Sequence, residues 1–199
     1  SGLVQAQAGF LSLDGGGAGS GRFEAGPGAT NNFGGQTYTL VAGAAFEGAG
    51  LFQVAQNTGG GILAIATPLT ITNRFLLHVG GVLGGTNTVT FTGPFDWVGG
   101  NMQDVGKTVF AGSAIVHFSS ANTKVWRQRT IENHAWVSYT GGGFYADLLG
   151  VWHNHGTLVL AGDVGVGFYG AGGYCTFNNH GTFRKSTGSG SATVQLILN

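Results

Sequence analysis

Ile131-Glu132-Asn133-His134-Ala135-Trp136-Val137, Trp152-His153-Asn154-His155-Gly156-Thr157-Leu158 and Phe177-Asn178-Asn179-His180-Gly181-Thr182-Phe183 are three versions of one heptapeptide. The shared rule is apolar, polar, Asn, His, small, any, apolar. The asparagines stand at 133, 154 and 179, so the intervals are 21 and then 25 residues. The longer interval contains Gly167 to Gly173, a Gly- and Tyr-rich stretch that reads as a bulging loop. An antiparallel hairpin sandwich has no reason to repeat its sequence. A stack of coils does, because each coil meets the same surroundings as the last.

Stacking gives each column of the repeat a physical role. Coils lie about 4.8 Å apart, so Asn133, Asn154 and Asn179 can pair amide donor to amide acceptor up the stack. Ile131, Trp152 and Phe177 then form one interior column, and Val137, Leu158 and Phe183 another. His134, His155 and His180 form a row along one corner. The glycine that follows the histidine in two copies suits a corner with an unusual backbone angle. A weaker copy, Ile71-Thr72-Asn73-Arg74-Phe75-Leu76-Leu77, places Asn73 in the asparagine column, 60 residues before Asn133.

The rest of the chain agrees with this reading. Thr37 to Val41, Thr88 to Thr92, Ala114 to Phe118, Thr157 to Leu160 and Thr193 to Leu198 are short β-rich runs bounded by Gly, Asn or Ser. No long 3.6-residue stripe marks a helix. Of 199 residues, 40 are Gly and only 3 are Pro, which excludes collagen and proline-rich linkers. A hydrophobic share of 42% supports a packed core rather than disorder. The expected fold is all-β: one single-stranded parallel β-helix, or β-solenoid, over residues 1–199. It should wind right-handed through about nine to ten coils.

Charge narrows the partners. Lys and Arg total 8, as do Asp and Glu, so the basic footprint of a nucleic-acid-binding face is missing. Lys124, Arg127 and Arg129 are the densest basic stretch. They read as a solvated strand face beside Glu132, with an anion or glycan contact as the alternative. The single cysteine, Cys175, lies in an apolar run and is expected to be buried. No apolar run is long enough to span a membrane. Ser1 to Val4 lacks the pattern of a signal peptide, so either a leader was removed or the chain belongs to something longer.

Phe95-Asp96-Trp97-Val98-Gly99-Gly100-Asn101-Met102 resembles the Phe-x-Trp-x-Gly-Gly-x-Met signature of Gly/Thr-rich repeats in large bacterial surface proteins. Asn122-Thr123-Lys124 through Arg129-Thr130 and Asn133 resembles the coil that follows it. Phe177-Asn178-Asn179-His180-Gly181-Thr182-Phe183-Arg184-Lys185-Ser186 is similar to another of their segments, and residues 9–50 to a further block. The resemblance implies a secreted, autotransporter-like or adhesin-like β-solenoid. It implies no catalytic residues, because the shared motifs are structural. The histidine after each asparagine departs from the family, where small or polar residues vary.

The functional expectation is a non-catalytic extracellular or cell-surface structural protein without cofactor. The solenoid would stack head to tail on itself into a filament, or form part of an adhesin or matrix, with surface glycans as a further partner. Charges are absent near both ends of the chain, and the strand-like runs at Leu3, Phe10 and Thr193 to Leu198 are apolar, which favours end-to-end contact. Straight-line spacing of His134, His155 and His180 suits a stacked row better than a tetrahedral metal site. The acids are scattered rather than paired, against a carbohydrate-active β-helix, which remains an alternative beside carbohydrate binding. Ice binding is another, on Thr37/Thr39, Thr70/Thr72 and Thr88/Thr90, although their spacings do not share one register.

Overall fold

The structure is a computed structural model that describes residues 2–54, 60–170 and 173–199. Short strands of two to six residues follow one another with corners between them, and no helix occurs among the described residues. Every paired strand runs parallel to its neighbour, and pairing joins strands three apart in the chain, except that Thr176–Asn179 pairs with Ile197–Leu198, two strands on, and Ala45–Glu47 does not pair with Leu69–Ile71. The chain is therefore a β-solenoid of about nine turns with three strands per turn. One face is a nine-stranded sheet from Phe10–Leu13 to Thr182–Thr187. A second has eight strands, from Gly17–Gly19 to Val166–Phe168. The third place in each turn belongs to a three-stranded sheet, Leu3–Ala6 to Ala45–Glu47, and then to a seven-stranded one, Leu69–Ile71 to Ile197–Leu198.

Alternation along each strand sends every second side chain inward. On the nine-stranded face one inward column is Phe52, Phe75, Phe95, Val116, Val137 and Leu158, all buried. Its neighbour contains Val54, Leu77, Trp97, Phe118, Tyr139 and Leu160. Ring packs on ring across the narrow interior. Phe91 and Phe95 lie 4.5 Å apart between centroids, and Phe118 and Trp152 5.9 Å apart. Parallel coils need no hairpin turns, but each corner must close. Three aromatic side chains help by donating to a carbonyl three residues ahead: Trp97 Nε1–H to Gly100 O, Trp126 Nε1–H to Arg129 O, and the Tyr139 hydroxyl to Gly142 O. The Phe95-to-Met102 signature is one such corner, with Gly100 at φ +79° allowing the chain to turn.

Three sequence expectations need correction. Asn73 does not join the asparagine column. The register runs Ile71, Phe91, Phe110, Asn133, so the weaker copy aligns two residues away from where its asparagine suggested. A two-residue shift preserves the inward and outward pattern of a strand, so polarity alone cannot detect it. Gly156 and Gly181 do not have positive φ. They are small because a Cβ there would collide with the Ala135 and Gly156 carbonyl oxygens of the preceding turn. Thr193 to Leu198 is not one strand: Val194 bridges to Val166, and only Ile197–Leu198 pairs with Thr176 and Phe177. Of the bulge read between Gly167 and Gly173, residues 171 and 172 lie outside the described residues.

Candidate functional site

The structure stacks Asn133, Asn154 and Asn179 at one corner. Asn133 Nδ2–H donates to Asn154 Oδ1 at 2.7 Å, and Asn154 Nδ2–H donates to Asn179 Oδ1 at 2.7 Å. Backbone groups take the remaining capacity. Asn133 Oδ1 accepts from the Ala135 N–H, Asn154 Nδ2–H reaches Thr182 O, and Asn179 Nδ2–H reaches Gly181 O. Asn133 and Asn154 are fully buried, and Asn179 is half-buried near the end of the stack. A buried amide with both ends bonded is stable, and the same amide with one partner removed costs about 1–3 kcal/mol.

One residue onward the chain turns outward, so His134, His155 and His180 are exposed. Their rings stack nearly parallel, 4.9 Å apart for His134 and His155 and 5.1 Å for His155 and His180. Parallel rings present their nitrogens side by side rather than towards one point. Among the described residues no group of three His, Cys, Asp or Glu side chains is arranged to hold a metal ion. The His155 pKa is pushed down, by partial desolvation first and then by His134, His180 and His153.

Sequence reasoning missed His153 as a member of this cluster. It pairs in register with Glu132, two residues before the histidine row, and its ring lies 6.4 Å from that of His155. The signal was present as His153-Asn154-His155, two histidines two residues apart at the end of strand Val151–Asn154 and its corner. Lys107 bonds Glu132 at 2.7 Å and holds its carboxyl below the ordinary range, with smaller help from His134 and His153.

The basic stretch differs most from expectation. Lys124 and Arg129 are fully buried rather than on a solvated strand face. Lys124 Nζ donates to Asn122 O and Gly141 O at 3.0 Å each and to Ser120 O at 3.4 Å. Burial lowers its pKa from 10.5 to about 8. Arg129 reaches across turns. Its guanidinium donates to Thr108 Oγ1 at 2.7 Å, Lys107 O at 3.0 Å, Gln103 O at 3.0 Å and Gly85 O at 3.2 Å. Burial brings its pKa down to about 10 against the opposing pull of Asp104. Both cations bond backbone carbonyls at or beside the corners, Lys124 in the 120–122 and 141 loops and Arg129 at Gly85, Gln103 and Lys107. Arg127 stays nearer the surface and meets Asp147 at 3.7 Å.

The acids that looked scattered are likewise drawn into contacts between turns. Arg74 meets Asp96 at 3.0 Å and Lys185 meets Asp163 at 3.0 Å, while Asp104 accepts from the Gly85 N–H. Cys175 is buried, and burial raises its thiol pKa. The threonine pairs divide between faces. Thr70 and Thr90 are in register on one sheet, and Thr37 and Thr39 belong to another. No helix among the described residues is long and apolar enough to cross a membrane. No family model, no curated protein and no solved structure matches the chain.

Proposed function

We propose that the protein is a non-catalytic structural solenoid working outside the cell, as a filament subunit or as a segment of a surface adhesin or matrix. The observation that carries this reading is where its polar chemistry goes. Side chains that could form a reactive centre instead tie one turn to the next: the asparagine column, buried Lys124 and Arg129, and ion pairs such as Lys107–Glu132. Such ties suit a rod that carries load or presents a surface. The exposed ion pairs contribute little each, about 0–1 kcal/mol, but the buried ladders act in every turn they cross.

The ends of the stack support assembly. Phe10 is 54% exposed in the first turns and Leu198 57% exposed in the last, each on a strand with one edge unpaired. Further parallel coils, from a neighbouring copy or from the same protein, would cover both the apolar side chains and the open edge. The purified chain tests this directly. Sedimentation and negative-stain electron microscopy should show end-to-end rods that lengthen with concentration. Particles that stay one solenoid long at high concentration would exclude self-stacking, and detection of the native protein only inside cells would exclude the surface role.

A further inference from the structure

We propose that the outward surface around Tyr145 is a binding site for a neutral oligosaccharide, an inference that goes beyond the structural role and does not depend on end-to-end assembly. Tyr145 lies on strand Phe144–Asp147, in an outward column with Asn101 and Val125 before it and Gly167 after it. Two glycines make room for its ring. A Cβ on Gly143 or on Gly167 would overlap the ring carbons, so both neighbours must lack one for the ring to lie where it does. The Tyr169 ring meets it edge to face at 5.1 Å and is itself 56% exposed.

Tyr145 is the wall between two open depressions. One, of about 500 Å³, is lined by Gly143, Asp163, Gly165, Thr193 and Gln195. The other, of about 330 Å³, is lined by Thr123, Phe168 and Tyr169. Both fall in the range of small-ligand sites. Tyr145 is the one residue that lines both.

The chemistry of the two linings selects the ligand class. A pyranose ring has apolar C–H faces and a rim of hydroxyls. It therefore needs an aromatic plane beneath it and neutral hydrogen-bonding groups beside it, as an amphipathic tyrosine surface provides. Gln195 accepts from the Phe168 N–H through Oε1, and among the described residues no partner takes its Nε2 hydrogens. Thr193 and Thr123 add hydroxyls on either side. The charge in the lining is neutralised: Asp163 pairs with Lys185 at 3.0 Å and accepts from the Gly190 N–H at 3.0 Å. That arrangement gives an anionic or cationic ligand no unpaired partner. An apolar peptide side chain would want an enclosed pocket, whereas these depressions are open and half polar.

Calorimetric titration of the full chain with cellohexaose, maltohexaose and the β-1,4-linked hexamer of N-acetylglucosamine tests the site. At least one should bind with a Kd at or below about 1 mM. Tyr145→Ala and Gln195→Ala should each weaken that binding by about tenfold or more. Tyr145→Phe keeps the ring plane and should stay within about threefold of the original. His155→Ala, on a different corner, should leave it unchanged, and an unaltered β-type circular dichroism spectrum verifies that each variant is folded. Absence of binding to all three hexasaccharides overturns the proposal, as does binding that a folded Tyr145→Ala variant retains. Either failure leaves the sedimentation result untouched, so the two readings fail separately.

Discussion

Ile71, Phe91 and Phe110 occupy the same inward position, turn by turn, that Asn133, Asn154 and Asn179 occupy in the turns that follow. In the first region the column is held by ring packing, with Phe91 and Phe110 each near Phe95, at 4.5 and 5.1 Å. In the second it is held by directed amide bonds of 2.7 Å. The position itself does not demand an apolar residue. It demands that any polar group placed there finds a partner in an adjoining turn or in its own corner, while apolar side chains pack on apolar ones. The junction satisfies this condition. Asn133 turns its oxygen to the Ala135 N–H and its amide hydrogens towards Asn154, so it asks nothing of Phe110 in the turn before.

The comparison is broken most severely by moving an amide into the ring region. Phe91→Asn should lower unfolding stability by about 5 kcal/mol, combining a cavity with an unsatisfied buried amide between Ile71 and Phe110. Denaturant unfolding measures it. A loss under about 2 kcal/mol would mean that this column tolerates either chemistry regardless of its neighbours. The converse exchange, Asn154→Leu, should cost less, about 2–3 kcal/mol, because it leaves Asn133 Nδ2 and Asn179 Oδ1 without their partner but adds buried apolar area. Unchanged thermal stability would show that the ladder contributes nothing.

A smaller effect distinguishes the second region by pH. The folded Lys124 has a pKa of about 8 against an ordinary 10.5. Between those values the unfolded chain holds more protons, so stability rises as pH increases through this window. The rise is about 2 kcal/mol at most after allowing for the three carbonyl contacts that favour the ammonium. Above pH 10 buried Tyr139, raised to about 12, works in the opposite sense, because the unfolded tyrosine ionises first. Lys124→Met should start less stable at neutral pH and lack the rise between pH 8 and 10. Parallel pH profiles for the two proteins would remove Lys124 as its source.

The asparagine and histidine columns were legible because one residue type recurs at nearly constant spacing, which is what a stack imposes on equivalent positions. Asn73 misled for the same reason: the letter matched, and alternation cannot tell a register from its two-residue neighbour. The length of each corner settles that register. Phe110 to Val116 spans two residues more than Phe91 to Phe95, and this difference is visible only once both strands have partners.

By itself, then, the sequence determined that the chain is built from short strands, that these strands repeat as coils, and which residues form the late columns. Those properties follow from side-chain alternation and from the spacing of like residues, which are local and countable. Tertiary structure alone decided the fate of the basic stretch and of Tyr145. The carbonyls that Arg129 bonds come from Gly85, Gln103 and Lys107, positions up to 44 residues away, and they converge only when three turns are stacked. No strand pattern announces such a convergence, so Lys124 and Arg129 looked like ordinary surface charges. Tyr145 likewise became a platform only because coil stacking set Gly167 beside it and Tyr169 against its edge. Contacts between turns depend on register, and register is a property of the assembled stack rather than of any segment within it.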